Sequence, residues 1–245
     1  MTPRITLAIS GRVLRQLRHD PRTVVLLIVV PSLLVVLLRY VFDGRPQVFD
    51  RVGPGLVGLF PLLSMFLVGS ITVLRERTSG TLERLLAMPL GKLDILLGYG
   101  IAFAGFATAQ ATVVSGVAFG LLGLDVAASP WAVGAVAVGN AVLGMALGLL
   151  VSAFAATEFQ AVQFMPAFVL PQLLLSGLFV SRDQMAGALD AAAGAMPLTY
   201  AYDALHRLAA DGTLGSQGTL DVVVLAGAVV LALALGAATL RRRTA

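Results

Sequence analysis

The chain alternates between long apolar runs and short charged connections. Residues 23–38, 52–74, 95–124, 127–157, 159–181 and 222–240 contain no Asp, Glu, Lys or Arg. Uninterrupted apolar stretches of about 18 residues or more have the length of a bilayer-crossing helix, so the pattern predicts six transmembrane helices. The run 24–38 is the shortest, yet thirteen of its residues are Val, Leu or Ile. At roughly −0.3 to −0.6 kcal/mol each near a helix centre, they favour insertion by about 5 kcal/mol before the cost of Pro31. Arg22 and Arg39 flank this run and can snorkel outwards from its ends.

A different period precedes the first run. Ile5, Ile9, Val13 and Leu17 recur every four residues, while Arg4, Arg12, Arg15 and Arg18 gather on the other side of a helical wheel. This predicts an amphipathic helix over residues 1–22 that lies in the headgroup layer; the alternative is a plain topogenic charge cluster. The connection 75–94 carries its own pattern, RERTSGTLERLLAMPL over residues 75–90. Thr81 can cap a helix start, and Glu83 falls in its first turn, where the helix dipole favours an acid. Leu82, Leu85 and Leu86 follow at helical spacing, and Pro89 stops the element. The product is a two-turn helix with one apolar edge, too short to be stable without a surface to rest on. The alternative here is a solvated loop.

Charge orients the chain. Basic residues in alternate connections number twelve: Arg4, Arg12, Arg15, Arg18 and Arg22, then Arg75, Arg77, Arg84 and Lys92, then Arg241, Arg242 and Arg243. The other connections hold five: Arg39, Arg45, Arg51, Arg182 and Arg207. The positive-inside bias therefore places both termini and the 75–94 connection in the cytoplasm. The last outer segment, 182–221, has five Asp against two Arg.

Composition then removes whole classes of function. Only 12% of residues are charged, about half the proportion of an ordinary soluble domain. There is no cysteine, so disulfides and thiolate metal sites are excluded. The net charge of +4 needs no nucleic-acid partner, because topology accounts for where the arginines lie. No GxxxxGK[ST] occurs; MPLGKL at 88–93 lacks both the upstream glycine and the hydroxyl after Lys92. His19 and His206 both lie outside the apolar runs, so an intramembrane Ser–His dyad or a zinc-binding HExxH helix is excluded. No catalytic, cofactor-binding or metal-binding residue is expected on this chain. No ionisable group stands at mid-depth to act as a proton relay, so a transporter built this way draws its energy from elsewhere. The first apolar run lacks a small-residue cleavage site and is followed by further runs, so no cleaved signal peptide is expected.

Polar groups inside the runs are few. Thr108, Thr112 and Ser115 share a face of the third run, with Gln110 on another. Gly116/Gly120 and Gly144/Gly148 have the spacing of close helix packing, and packing is also the simpler reading of the hydroxyls. Pro166 and Pro171 predict a kinked fifth helix, with Gln163 and Gln172 near the breaks. Tyr200, Tyr202 and His206 suit an aromatic belt at the outer boundary, the alternative being a gate. The stretch 186–195, AGALDAAAGA, is a loop or a short surface helix.

Three separated blocks carry a family resemblance. Residues 75–90 with the following GKLDILLGY resemble the first cytoplasmic loop of ABC-2-type permeases. LPQLLLSGLFV at 170–180 is similar to the fifth-span signature of that family, and MPLTYAYDALHRL at 196–208 to the stretch before its sixth span. The chain departs from the family at Val180-Ser181 and at Met185-Ala186-Gly187, where prolines are usual, which leaves the shape of the outer segment open. The drug and antibiotic export branch, of the daunorubicin-resistance-permease kind, is the nearest in character.

The resemblance implies one all-α transmembrane domain over 1–245, with six spans, cytoplasmic termini and an interfacial N-terminal helix. It implies a separate ATPase in two copies, carrying ATP and Mg, and a second permease chain, identical or sister. A coupling helix seated on the ATPase would be formed by Thr81, Leu82, Glu83, Arg84, Leu85 and Leu86, with Glu158 on the minor inner connection. Because the second and fifth spans line the cavity in such transporters, Phe60, Ser64, Gln163, Phe164, Gln172 and Ser176 are the expected cargo path. The expected cargo is an amphipathic drug, antibiotic or lipid-like molecule, and the expected location is the bacterial cytoplasmic membrane. Lipid or polysaccharide export is the alternative within the class; an ATP-independent channel or scaffold is the alternative outside it.

Overall fold

The computed structural model describes residues 3–81, 84 and 92–239, and the described residues form helices and turns without a strand. The helices are α1 (Pro3–Arg18), α2 (Pro21–Val41), α3 (Pro46–Thr78), α4 (Lys92–Gly116), α5 (Pro130–Ser152), α6 (Glu158–Leu175), α7 (Gly187–Ala193), α8 (Pro197–Asp211) and α9 (Gly215–Thr239). A π-helical turn, Val117–Leu121, continues α4, and a 3-10 turn, Arg182–Gln184, precedes α7. Starts are written clearly in the sequence. Proline opens α2, α3, α5 and α8, where its fixed φ suits the helix and its missing N–H would have had no partner anyway. Asp20, Ser129 and Thr157 accept from the first-turn amides of α2, α5 and α6.

Among the described residues, five helical stretches are long and apolar enough to cross a membrane: α2, α3, Leu97–Leu121, α5 and α9. The expected fifth span, 159–181, is shorter in the structure. Its helix α6 ends at Leu175 because Gly177, at φ +92°, turns the chain in a conformation that other residues rarely adopt. The stretch 186–195, expected as a loop or a short surface helix, contains α7, and the segment 182–211 folds as the 3-10 turn, α7 and α8 in succession.

At the centre, α3 crosses α5. Of the span stretch in each, 61% is buried, against 11% in α2 and 17% in α9. The crossing is made by backbone against backbone. A Cβ on Gly144 would overlap the Leu62 carbonyl, and one on Gly148 the Phe66 carbonyl; one on Gly69 would stand 2.8 Å from the Met145 carbonyl oxygen. The expected packing role of Gly144/Gly148 is thus seen, whereas Gly116 and Gly120 have no such neighbour within 4 Å. Spacing alone did not separate the two pairs, because the partner helix decides which small residues matter.

Helix α1 lies on α4. Ile9 and Val13 are buried there, Ile5 and Leu17 are partly so, and Ile9 Cγ2 would stand 2.6 Å from a Cβ on Gly98. The predicted apolar stripe therefore packs on protein. Arg12 departs from the predicted polar face: it is turned inward to Glu76.

Helix α2 meets α4 through a repair of its own kink. Pro31 has no N–H for the Leu27 carbonyl one turn earlier. Gln110, fully buried on α4, donates its Nε2 to that carbonyl at 2.5 Å. Gln110→Leu strands the carbonyl, but in a Pro31→Ala background the helix supplies its own donor again. We expect a double-mutant cycle on thermal unfolding in detergent to show about 1–2 kcal/mol of coupling. Equal losses from Gln110→Leu in both backgrounds would contradict this account.

Candidate functional site

The C-terminal end of α3 is a junction. Three consecutive side chains, Arg75, Glu76 and Arg77, reach three different helices. Arg75 forks onto Glu158 at the start of α6, Nε to Oε1 at 2.7 Å and Nη2 to Oε2 at 3.0 Å. The pair is half exposed, so its two-pronged geometry positions more than it stabilises. Glu76 is buried and accepts from Arg12 Nη2 on α1 at 2.8 and 3.1 Å; the same nitrogen lies 2.6 Å from the Tyr99 hydroxyl on α4. Arg77 donates to the Ser152 carbonyl at the end of α5 at 2.6 Å, where the helix leaves carbonyls without internal donors. Nearby, Thr6 of α1 donates to Asp94 at 3.4 Å.

Immediately after this junction the chain turns at Gly80, φ +72°. Arg84 N–H donates to the Gly80 carbonyl at 3.1 Å, and Thr81 is already helical. Thr81 is therefore in the first turn, one position later than the expected cap, and its hydroxyl pairs with Ser79 at 3.0 Å. Arg84 is exposed. Leu82, Glu83, Leu85 and Leu86 lie outside the described residues. Glu158 is held by Arg75, so the connection after α3 and the connection between α5 and α6 are joined directly.

The six residues expected along a cargo path are not one surface. Phe60 packs with the cluster around Val35, Phe49 and Val57. Ser64 donates to the Phe60 carbonyl of its own helix at 3.1 Å. Gln163 is exposed on α6, one residue from Phe164, which packs against Leu74, Ala155 and Ala161. Gln172 and Ser176 belong together at the other end of α6. Gln172 donates to the Phe168 carbonyl at 2.9 Å and accepts from Leu198 N–H at 3.4 Å, supplying a cap that the start of α8 lacks. Ser176 donates to the Leu173 carbonyl at 2.8 Å and closes the turn at Leu178.

At this end sequence reasoning passed over Asn140 and assigned Tyr202 only to an aromatic belt or a gate. Asn140, the chain's only asparagine, sits within the charge-free run 127–157; it is 1% exposed and donates to the Gly58 carbonyl at 3.1 Å. That isolation was the available signal. Tyr202 does more than mark a boundary: its ring lies between Gly55 of α3 and Gly177, where added Cβ atoms would stand 3.0 and 3.4 Å from its carbons. Beside it the segment 182–221 is tied by ion pairs, Arg182 to Asp190 at 2.7 Å and to Asp203 at 3.7 Å, and Arg207 to Asp221 at 3.3 Å. Burial, followed by the nearby Asp221 charge, pushes the Asp203 carboxyl above its ordinary range. Among the described residues no cluster of acids and histidines could hold a metal ion.

The comparisons with known proteins bear on this arrangement. The sequence model of the ABC-2 type transporter family matches residues 5–208. The chain belongs to that family. Its matched region takes in the junction at 75–77 and both ends of α6. The probable multidrug ABC transporter permease YbhR of Escherichia coli K12 is 38% identical over 63 residues, as is its counterpart in Escherichia coli O157:H7. Each match covers 26% of this chain and 17% of the relative. The resemblance to ABC-2-type permeases read from the sequence thus agrees with the family match.

Proposed function

We propose that this chain is the membrane-spanning permease subunit of an ATP-driven exporter, paired with a second permease chain and served by two copies of a separate ATPase. ATP and Mg reside on that ATPase, and none on this chain. The carrying observation is the Arg75-Glu76-Arg77 junction. A segment that receives force must pass it to several spans at once, and this junction ties the foot of α3 to α1, α5 and α6 just before residues 79–91. The coupling residues are Thr81, Leu82, Glu83, Arg84, Leu85 and Leu86, with Glu158 acting through Arg75.

In this reading α6 is the fifth of six spans, α1 lies along the inner surface of a bacterial cytoplasmic membrane, and both termini are cytoplasmic. The exposed Gln163, with only apolar residues at 161–162 and 164–171, favours a protein or aqueous neighbour over lipid acyl chains. That supports α6 facing the partner permease, with Gln163 and Phe164 on the cargo route and Phe60 and Ser64 further from it. The apolar surroundings suit an amphipathic drug, antibiotic or lipid-like cargo.

Affinity purification of the tagged chain from its native membrane in mild detergent tests the reading. A soluble ATPase bearing a glycine-rich phosphate loop is expected in stoichiometric amount. Leu82→Asp, Leu85→Asp and Leu86→Asp together should leave insertion intact and lower ATP-driven transport at least tenfold, which corresponds to about 1.4 kcal/mol or more of lost coupling. Recovery of the chain without an ATPase, or full transport by the triple variant, would overturn it.

A further inference from the structure

Helix α1 has a second face. Thr6 meets Asp94 at the start of α4, Arg12 meets Glu76 near the end of α3, and Asp20, just past α1, feels the Arg75 charge. Those partners all belong to one end of the bundle, so α1 lies across that end and not along a span. Its link to α2 is only His19 and Asp20, and Asp20 caps α2 by accepting the Thr23 N–H at 3.2 Å. The side of α1 turned away from α3 and α4 is uncovered. Leu7 and Leu14 are 62% and 43% exposed there, and Arg4, Arg15 and Arg18 are exposed too. By helical spacing Leu7 and Leu14 form one row, and Arg4, Gly11, Arg15 and Arg18 form the next. Arg15 Nε donates to the Gly11 carbonyl at 3.1 Å, which lays its guanidinium along that row. Residues 3–18 contain no Asp or Glu, and none of the three exposed arginines forms an ion pair with a described residue.

We propose that this face of α1 docks on anionic phospholipid, with Arg4, Arg15 and Arg18 holding headgroup phosphates and Leu7 and Leu14 set into the acyl boundary beside them. A bilayer surface is layered in the same order as the two rows, phosphate next to methylene. An acidic protein surface or a free anion would pair with the arginines and leave the leucine row in water. Guanidinium groups match phosphate oxygens through forked pairs of N–H donors. A zwitterionic headgroup offsets its phosphate with its own ammonium, whereas an anionic one leaves a net negative field that draws a helix without acids. The opposite face of α1 holds Glu76 through Arg12. Leaflet charge that clamps one face therefore steadies the junction at the foot of α3 through the other.

The inference rests on the exporter reading only for the placement of α1 on a membrane surface. Its test uses neither an ATPase nor an assigned inner face, so the two can fail separately. The full chain is placed in nanodiscs of phosphatidylcholine alone and of equal parts phosphatidylcholine and phosphatidylglycerol, at low ionic strength. Hydrogen exchange is read across residues 3–18 and, as an internal reference, across α8, which packs at the other end of α3. Exchange across 3–18 is expected to be about tenfold slower in the anionic discs, with α8 unchanged. Arg4→Gln, Arg15→Gln and Arg18→Gln together should remove that difference and leave exchange in phosphatidylcholine near that of the unaltered chain. Should the triple variant not accumulate, high salt on the unaltered chain screens the same contacts and should remove the difference. Equal exchange in the two discs would assign this face to a protein partner and overturn the proposal. So would a difference shared by α8, or one that survives the triple substitution.

Discussion

Gly148→Ala is expected to lower the thermal midpoint of the purified chain by on the order of 10 °C, from a single added methyl group. The cause is the crossing of α3 and α5. An alanine Cβ at 148 would overlap the Phe66 carbonyl and come within 3.0 Å of the Ser70 nitrogen. Those are backbone atoms and cannot move aside as a side chain can. Relief requires the two most buried helices to separate, which forfeits close contacts along their length. Overpacking of this kind costs about 1–3 kcal/mol and sometimes more, and each kcal/mol corresponds to roughly 2–4 °C for a chain of this size. Gly144→Ala repeats the collision against Leu62, so the double change should prevent accumulation in the membrane. Gly116→Ala and Gly120→Ala serve as matched controls. With open space around both positions, alanine there should be neutral or gain a few tenths of a kcal/mol in helix propensity. If all four single substitutions behaved alike, the backbone contact between α3 and α5 would not be what holds these helices.

The contrast between the two glycine pairs shows where sequence reading stops. The charge-free runs were legible because a bilayer permits nothing else for that length, and five of the six returned as helices that meet the span criterion. Caps and N-terminal prolines were legible because they act within one turn. What needed the fold was any property set by a partner distant in the chain. Arg12 was placed on a polar face by its position on the wheel, yet Glu76, 64 residues away, draws it inward. Gln110 stands on a face of the third run apart from Thr108, Thr112 and Ser115, and its role appears only against the carbonyl that Pro31 frees 83 residues earlier. The six residues expected along a cargo path come from the second and fifth spans, and the fold gives each its own neighbours. Phe60 and Ser64 sit on α3 facing other neighbours, while Gln172 and Ser176 close the top of α6. Asn140 was open to discovery, since one amide in a long apolar run is a signal by itself.

Arg12→Ala is expected to loosen α1 from the bundle and to do more damage than removing its partner's charge. The Glu76 side chain is 5% exposed and the Arg12 side chain 34%, so the carboxylate depends on the guanidinium far more than the reverse. Deleting Arg12 leaves an anion among the apolar groups at the foot of α3. Stranding one member of a fully buried pair costs about 3–5 kcal/mol; the partial exposure of Arg12 reduces this to about 2 kcal/mol. Glu76→Gln keeps a hydrogen-bond acceptor for Arg12 and removes the charge that needs solvating, so its cost should be about 1 kcal/mol or less. The double variant should recover much of the loss, since no unpaired charge then remains inside. Hydrogen exchange across residues 3–18 reads the outcome directly: faster exchange in Arg12→Ala, near-normal exchange in Glu76→Gln, and partial recovery in the pair. Because Glu76 lies between two arginines that hold α5 and α6, a loosened α1 should also lower ATP-driven transport, with the inserted chain otherwise intact. Normal exchange in Arg12→Ala would show that α1 is held by its apolar stripe alone, through Ile9 and Val13, and would reduce the ion pair to an ornament of the junction.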